Sequence, residues 1–269
     1  MRNSMLKKSL NTAGKALLVV FAGSLLTAWL ALTPEGLLGK ADAIAYSVCH
    51  RIELRSFFLG DRQIPLCARC SGTYLGVLVG LLYQLPFGKR AKLPPLKILI
   101  PMGVFFLAFA VDGINSYLHF FPNSPGLYEP HNALRLATGT GLGLLMAVML
   151  LPVANQTLWM DAQDRAALER WPQVLGLLLL AALAALALYS QNTLLLYPLA
   201  LASTAVIPLV LTLCYALLWI IIFHKENTFS HLREAWVPLS AGFVTALLQI
   251  SLIDWLRLWL TGTWGGFPL

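Results

Sequence analysis

Three of the four cysteines in this chain cluster early, as Cys49-His50 followed by Cys67-Ala68-Arg69-Cys70, while Cys214 stands alone in an apolar stretch. A Cys-x-x-Cys knuckle lets two thiolates reach one tetrahedral ion, and Cys49 with His50 would complete a three-Cys, one-His zinc set. Neighbouring side chains in an extended chain point apart, so one member of the Cys49-His50 pair is expected as the firm metal ligand. The same thiols also suit disulfide chemistry: Cys67 could pair with Cys70, or Cys49 with either of them, as a structural cross-link or as an exchange centre. Residue types alone leave metal, structural disulfide and redox exchange open.

A second constellation is ionic. Asp112, Asn115, Ser116 and His119 recur at spacings that share one helical face, and Asn132, Arg135 and Gly139 repeat the stripe on the next apolar segment. Ionisable groups inside an apolar span are costly and usually face a bundle interior, which makes Asp112 and Arg135 an expected buried pair. As a catalytic set, Asp112 or His119 would serve as general base, with Arg135 stabilising developing charge. Arg51, Arg55 and Arg69, with Asn132, are the expected substrate-binding residues, because guanidinium groups suit phosphate and carboxylate. An anionic small molecule or a lipid head group is the corresponding partner. A transporter would use the same stripe as a path, and a scaffold would need no chemistry from it. Asp254 and Arg257, three apart near the end of the last span, read as local pairing and snorkelling.

The elements that must position these residues follow from composition. Of 269 residues, 58% are hydrophobic and 12% charged, against roughly a quarter charged in a soluble domain. The mean hydropathy is +0.72, which excludes a soluble globule. The fold class is all-α, a polytopic helical membrane protein with seven spans at about 16–33, 71–87, 98–120, 131–153, 173–190, 199–223 and 236–260. Lysine and arginine crowd the segments before the first span and around 89–97, 165–170 and 225–233. This places the N-terminus in the cytoplasm and the C-terminus outside. Segment 34–70 is then an outer Cys/Arg-rich loop whose charge runs against the topological bias. Residues 1–269 form one membrane domain in a lipid bilayer, expected to be a bacterial cytoplasmic (inner) membrane, with the first span as an uncleaved signal anchor. The basic residues lie between apolar spans, which argues against nucleic acid. Gly72, Gly76 and Gly80, with Gly139 and Gly143, would let two helices approach closely.

The string Cys49-His50, Arg55-Ser56-Phe57-Phe58-Leu59-Gly60 and Pro65-Leu66-Cys67-Ala68-Arg69-Cys70-Ser71-Gly72 resembles the signature of a prokaryotic membrane-protein family known as domain of unknown function 2085. The similarity continues into Asp112-Gly113, Asn132-Ala133-Leu134-Arg135 and Thr138-Gly139. It covers about 45–145 and leaves 154–269 as additional spans. The resemblance implies a membrane location and a shared site, and carries no activity with it.

Overall fold

In hydrocarbon every backbone N–H and C=O must be satisfied within its own segment, so the long apolar runs become helices. The computed structural model describes residues 2–121 and 126–266, with side chains from Thr12 onward. Its helices are α1 (Arg2–Leu32), α2 (Gly36–Tyr46), α3 (Ala68–Gln84), α4 (Leu96–Leu118), α5 (Asn132–Leu158), α6 (Trp171–Tyr189), α7 (Thr193–Ile222) and α8 (Trp236–Thr261). Among the described residues, seven are long and apolar enough to cross a membrane, all except α2. Their apolar stretches, Thr12–Leu32 within α1 among them, coincide with the seven expected spans to within a few residues. Helix α1 itself begins earlier, at Arg2, and α7 starts at Thr193 because the Asn192 side chain accepts from the Leu194 N–H at 3.0 Å and caps the helix there. Pro122, Pro125 and the tail Phe267–Leu269 lie outside the described residues, as do the side chains of Arg2, Lys7 and Lys8.

Segment 34–70 is more ordered than its composition suggests. Helix α2 buries Ala41, Ala43, Ala45 and Tyr46. Lys40 Nζ turns back to satisfy the carbonyls of Leu30 and Thr33 at the end of α1. A hairpin follows, β1 (Ser56–Leu59) against antiparallel β2 (Arg62–Cys67), turning at Gly60, whose φ of 63° a side chain would resist. At the opposite end of the bundle, β3 (Arg90–Lys92) pairs in parallel with β4 (Gln163–Ala166), and Lys89 bonds both Asp161 and the Ser230 carbonyl, each at 2.7 Å. The three charged loops therefore meet at one end, while the cysteine segment lies at the other.

The centre of the bundle is the α3–α5 contact. Gly72 lies against the Leu136 carbonyl, Gly76 against Thr140, Gly139 against Arg69 and Gly143 against Thr73, each so closely that a Cβ would overlap the partner's backbone oxygen. Close approach of this kind maximises dispersion where lipid removes the hydrophobic drive between helices. Gly143→Ala should therefore lower stability in detergent by at least the roughly 1–3 kcal/mol typical of overpacking. Gly103→Ala, in α4 with open space around it, should be neutral or slightly stabilising. Thermal unfolding monitored by circular dichroism checks both.

Candidate functional site

Cys49 follows α2 on a short irregular stretch held from several sides. Its N–H donates to the Ala45 carbonyl at 2.8 Å. Arg51 adopts a left-handed φ of 54°, uncommon for a side-chain-bearing residue. The cost of that conformation is offset by an ion pair to Asp42 at 2.9 Å and a bond from Arg51 Nη1 to the Trp264 carbonyl at 2.9 Å. From α8, Arg257 Nη1 donates to the carbonyls of Tyr46 and Cys49 and Nη2 to that of His50, with the guanidinium 3.8 Å above the Tyr46 ring. Arg257 is thus turned onto the cysteine segment, a role that its spacing from Asp254 did not suggest.

Cys67 ends β2 and is the N-cap of α3, and Cys70 occupies the first turn of that helix. The sulfurs of Cys49, Cys67 and Cys70 all lie within 4.8 Å of one another. Thiolates about 2.3 Å from a tetrahedral ion would sit about 3.8 Å apart, so the spacing fits one metal. Two backbone N–H groups aim at the Cys49 sulfur, from Cys67 at 3.3 Å and Arg51 at 3.5 Å. Hydrogen bonding with Cys67 pushes the Cys49 thiol up to about 12. Bonding with Cys49, then Cys70 and His50, holds the Cys67 thiol well below its usual value, in the direction the positive end of α3 also favours. All four cysteines are free thiols, and Cys214 is remote in α7.

His50 stands outside this triad. Its Nδ1 accepts the Ile52 N–H at 3.0 Å, so in the neutral ring Nε2 carries the proton and no lone pair is left to ligate a metal. Between Cys49 and His50, the geometry therefore makes Cys49 the ligand candidate and sets His50 beside Cys67 as a supporting group.

Next to the triad lies the ionic cluster, where the expected Asp112–Arg135 pair is corrected. Asp112, 2% exposed, is instead gripped by Arg69, whose Nε donates to Oδ2 at 3.1 Å and whose Nη2 bonds Oδ2 and the Asp112 carbonyl. Arg69 wins because α3 lies against α5 at Gly139, which puts the Cys-x-x-Cys arginine over α4. Tyr128 donates to Asp112 Oδ1 at 3.1 Å and Thr138 to Oδ2 at 3.4 Å. Burial, and the bond to Asp112, push the Tyr128 phenol up, so it remains a donor.

Arg135, 6% exposed, bonds Asn132 Oδ1 at 2.9 Å and leaves its buried Nε without a partner. Asn132 reaches the carbonyls of Leu54 and Ser56, both at 3.4 Å, linking α5 to the hairpin. Arg55 donates to the Ser116 carbonyl at 2.9 Å and lies 3.8 Å over Phe120. Burial first, then the charges of Arg135 and Arg69, pushes Arg55 down to about 10; the guanidinium stays protonated. Of the remaining expected residues, Arg51 is engaged with Asp42 and Trp264, and His119 bonds the Asn115 carbonyl at 2.8 Å at the end of α4. Tyr128 and Arg257 were missed. Tyr128 follows a proline-rich loop with no helical register, and the partners of Arg257 are about two hundred residues away in sequence.

Seven apolar helices enclosing a buried Arg–Asp pair, with a thiol triad at one end, define a polytopic helical membrane protein. Residues 49–149 match the family described as "Predicted membrane protein (DUF2085)". An uncharacterized protein of Methanothermobacter thermautotrophicus is 31% identical over 104 residues, covering 38% of this chain and 83% of that protein. Another, of Methanocaldococcus jannaschii, is 35% identical over 114 residues, covering 41% of this chain and 66% of that protein, just under two thirds of its length. The chain belongs to this family. Both relatives are archaeal, and no solved structure matches.

The geometry makes Asp112 dependent on Arg69. Arg69→Ala should cost about 3–5 kcal/mol by leaving a buried carboxylate unpaired, whereas Arg69→Met with Asp112→Leu should recover most of it. Arg135→Gln should cost clearly less than Arg69→Ala. Denaturant or thermal titrations of the four proteins in detergent check the order.

Proposed function

We propose that this protein binds an anionic group, the phosphate of a small molecule or lipid head, at the outer face of a cytoplasmic membrane, beside a zinc ion held by Cys49, Cys67 and Cys70. The observation that carries the anion site is a charge imbalance. The guanidiniums of Arg55, Arg69 and Arg135 gather around one carboxylate, Asp112, already engaged by Arg69, Tyr128 and Thr138. A positive surplus of this kind, with Arg135 buried and Arg55 and Arg69 half-buried, is relieved by an anion, and the orphaned Arg135 Nε supplies a donor for it. Asp112 then acts as the anchor that orients Arg69, and its engaged oxygens argue against a general-base role. His119, tied to the Asn115 carbonyl, is no better placed.

For the metal, three sulfurs within 4.8 Å match a site of three cysteine ligands with a fourth position left to solvent or ligand. A second reading, thiol–disulfide exchange, draws on Cys67 at the N-terminus of α3. Its obstacle is access, since Cys49 and Cys67 are both buried. Placing the site outside rests on the charged loops that meet at the other end of the bundle, where the positive-inside bias puts the cytoplasm. A cytoplasmic membrane is the setting this arrangement suits.

Native mass spectrometry of the purified protein titrated with phosphatidic acid in detergent tests the anion site. The wild type should bind this lipid in preference to phosphatidylcholine, and Arg135→Gln should weaken binding about tenfold, the loss of one charge-assisted hydrogen bond. Equal binding of both lipids, or no effect of Arg135→Gln in a folded protein, would overturn the proposal.

A further inference from the structure

A second intramembrane carboxylate lies apart from both clusters. Asp254 in α8 is 3% exposed, and its Oδ2 accepts from the Trp29 indole of α1 at 3.3 Å. Its Oδ1 is buried without a hydrogen-bond partner, and so is Oγ of Ser251, one turn earlier on the same helix face. Both residues line a cavity of about 300 Å³ between α1 and α8, whose walls are otherwise mainly apolar, with Leu25, Ala28, Trp255 and Leu258 among them. Asp254 lies seven residues before the end of α8, about 10 Å below that end.

We infer that this cavity binds the hydroxyl head of a neutral long-chain amphiphile, the hydroxyl donating to Asp254 Oδ1 and accepting from Ser251 Oγ. One O–H group satisfies both orphaned atoms, an acceptor and a hydroxyl. Charge disfavours an ammonium, because Arg257 lies one turn beyond Asp254 on the same helix and adds positive charge to that end of α8. The apolar walls select a chain over water, because a volume of roughly ten waters would offer them few of the two to four polar partners each needs. The size falls at the lower end of ligand pockets, enough for the head and first segment of a chain whose remainder lies in lipid. The inference is independent of the cysteine and arginine sites.

Photolabelling of the full-length protein in phosphatidylcholine vesicles tests it, using a diazirine-bearing hexadecanol and the matching hexadecane probe without the hydroxyl. The alcohol should label peptides containing Leu25 or Leu258 saturably and in preference to the alkane, with competition by unlabelled hexadecanol. Asp254→Leu with Ser251→Ala should reduce alcohol labelling about tenfold, to the level of the alkane. Ala28→Leu, which narrows the cavity and leaves both polar atoms in place, should do the same. Equal labelling by both probes in the wild type, or alcohol labelling unchanged in either variant, would overturn the proposal and leave the two polar atoms to water.

Discussion

The architecture depends on the glycine-lined contact between α3 and α5. Because Gly72 and Gly76 lie against the carbonyls of Leu136 and Thr140, and Gly139 and Gly143 against those of Arg69 and Thr73, the two helices cannot shift in register without backbone overlap. That register determines where the first turn of α3 sits. It sets the backbone of Arg69 on Gly139 and sends its guanidinium to Asp112 of α4, so three helices are tied at one point. It also puts Cys67 and Cys70 at the same depth as the polar ends of α4 and α5. The ion pair and the thiol triad are thus two results of one packing constraint.

The cysteine segment is braced from outside the stretch matched by the family. Asp42 of α2 pairs with Arg51, and Arg257 of α8 holds the backbone at Tyr46, Cys49 and His50. A left-handed residue beside a ligand candidate persists only when its surroundings over-determine it, and here two arginines and an aromatic contact between Tyr46 and Trp264 do so. The additional helices are therefore more than further membrane spans, since α8 contributes directly to the backbone that presents Cys49.

Hydropathy made the seven spans legible because each needs about twenty apolar residues, a signal that survives without knowledge of neighbours. The glycine spacing likewise pointed to the α3–α5 contact. Helix α2 was hidden because eleven residues cannot span a membrane, and the hairpin because strands of four and six residues owe their form to burial against the bundle. The cysteine triad was readable as a group, yet the exclusion of His50 depends on a backbone N–H reaching Nδ1, which spacing does not encode. The choice of Arg69 over Arg135 as partner of Asp112 was equally beyond the sequence. Periodicity places residues on a face, while the partner is chosen by the helix that approaches that face most closely.

We propose that Cys49, Cys67 and Cys70 act as one metal-binding unit next to the arginine cluster, and zinc K-edge X-ray absorption of the protein purified with stoichiometric zinc checks this ligand set. The spectrum should show three sulfur neighbours at about 2.3 Å and one lighter nitrogen or oxygen neighbour at about 2.0 Å. A first shell of nitrogen and oxygen alone, or protein that takes up no zinc while Cys67 is found in a disulfide with Cys49 or Cys70, would contradict it.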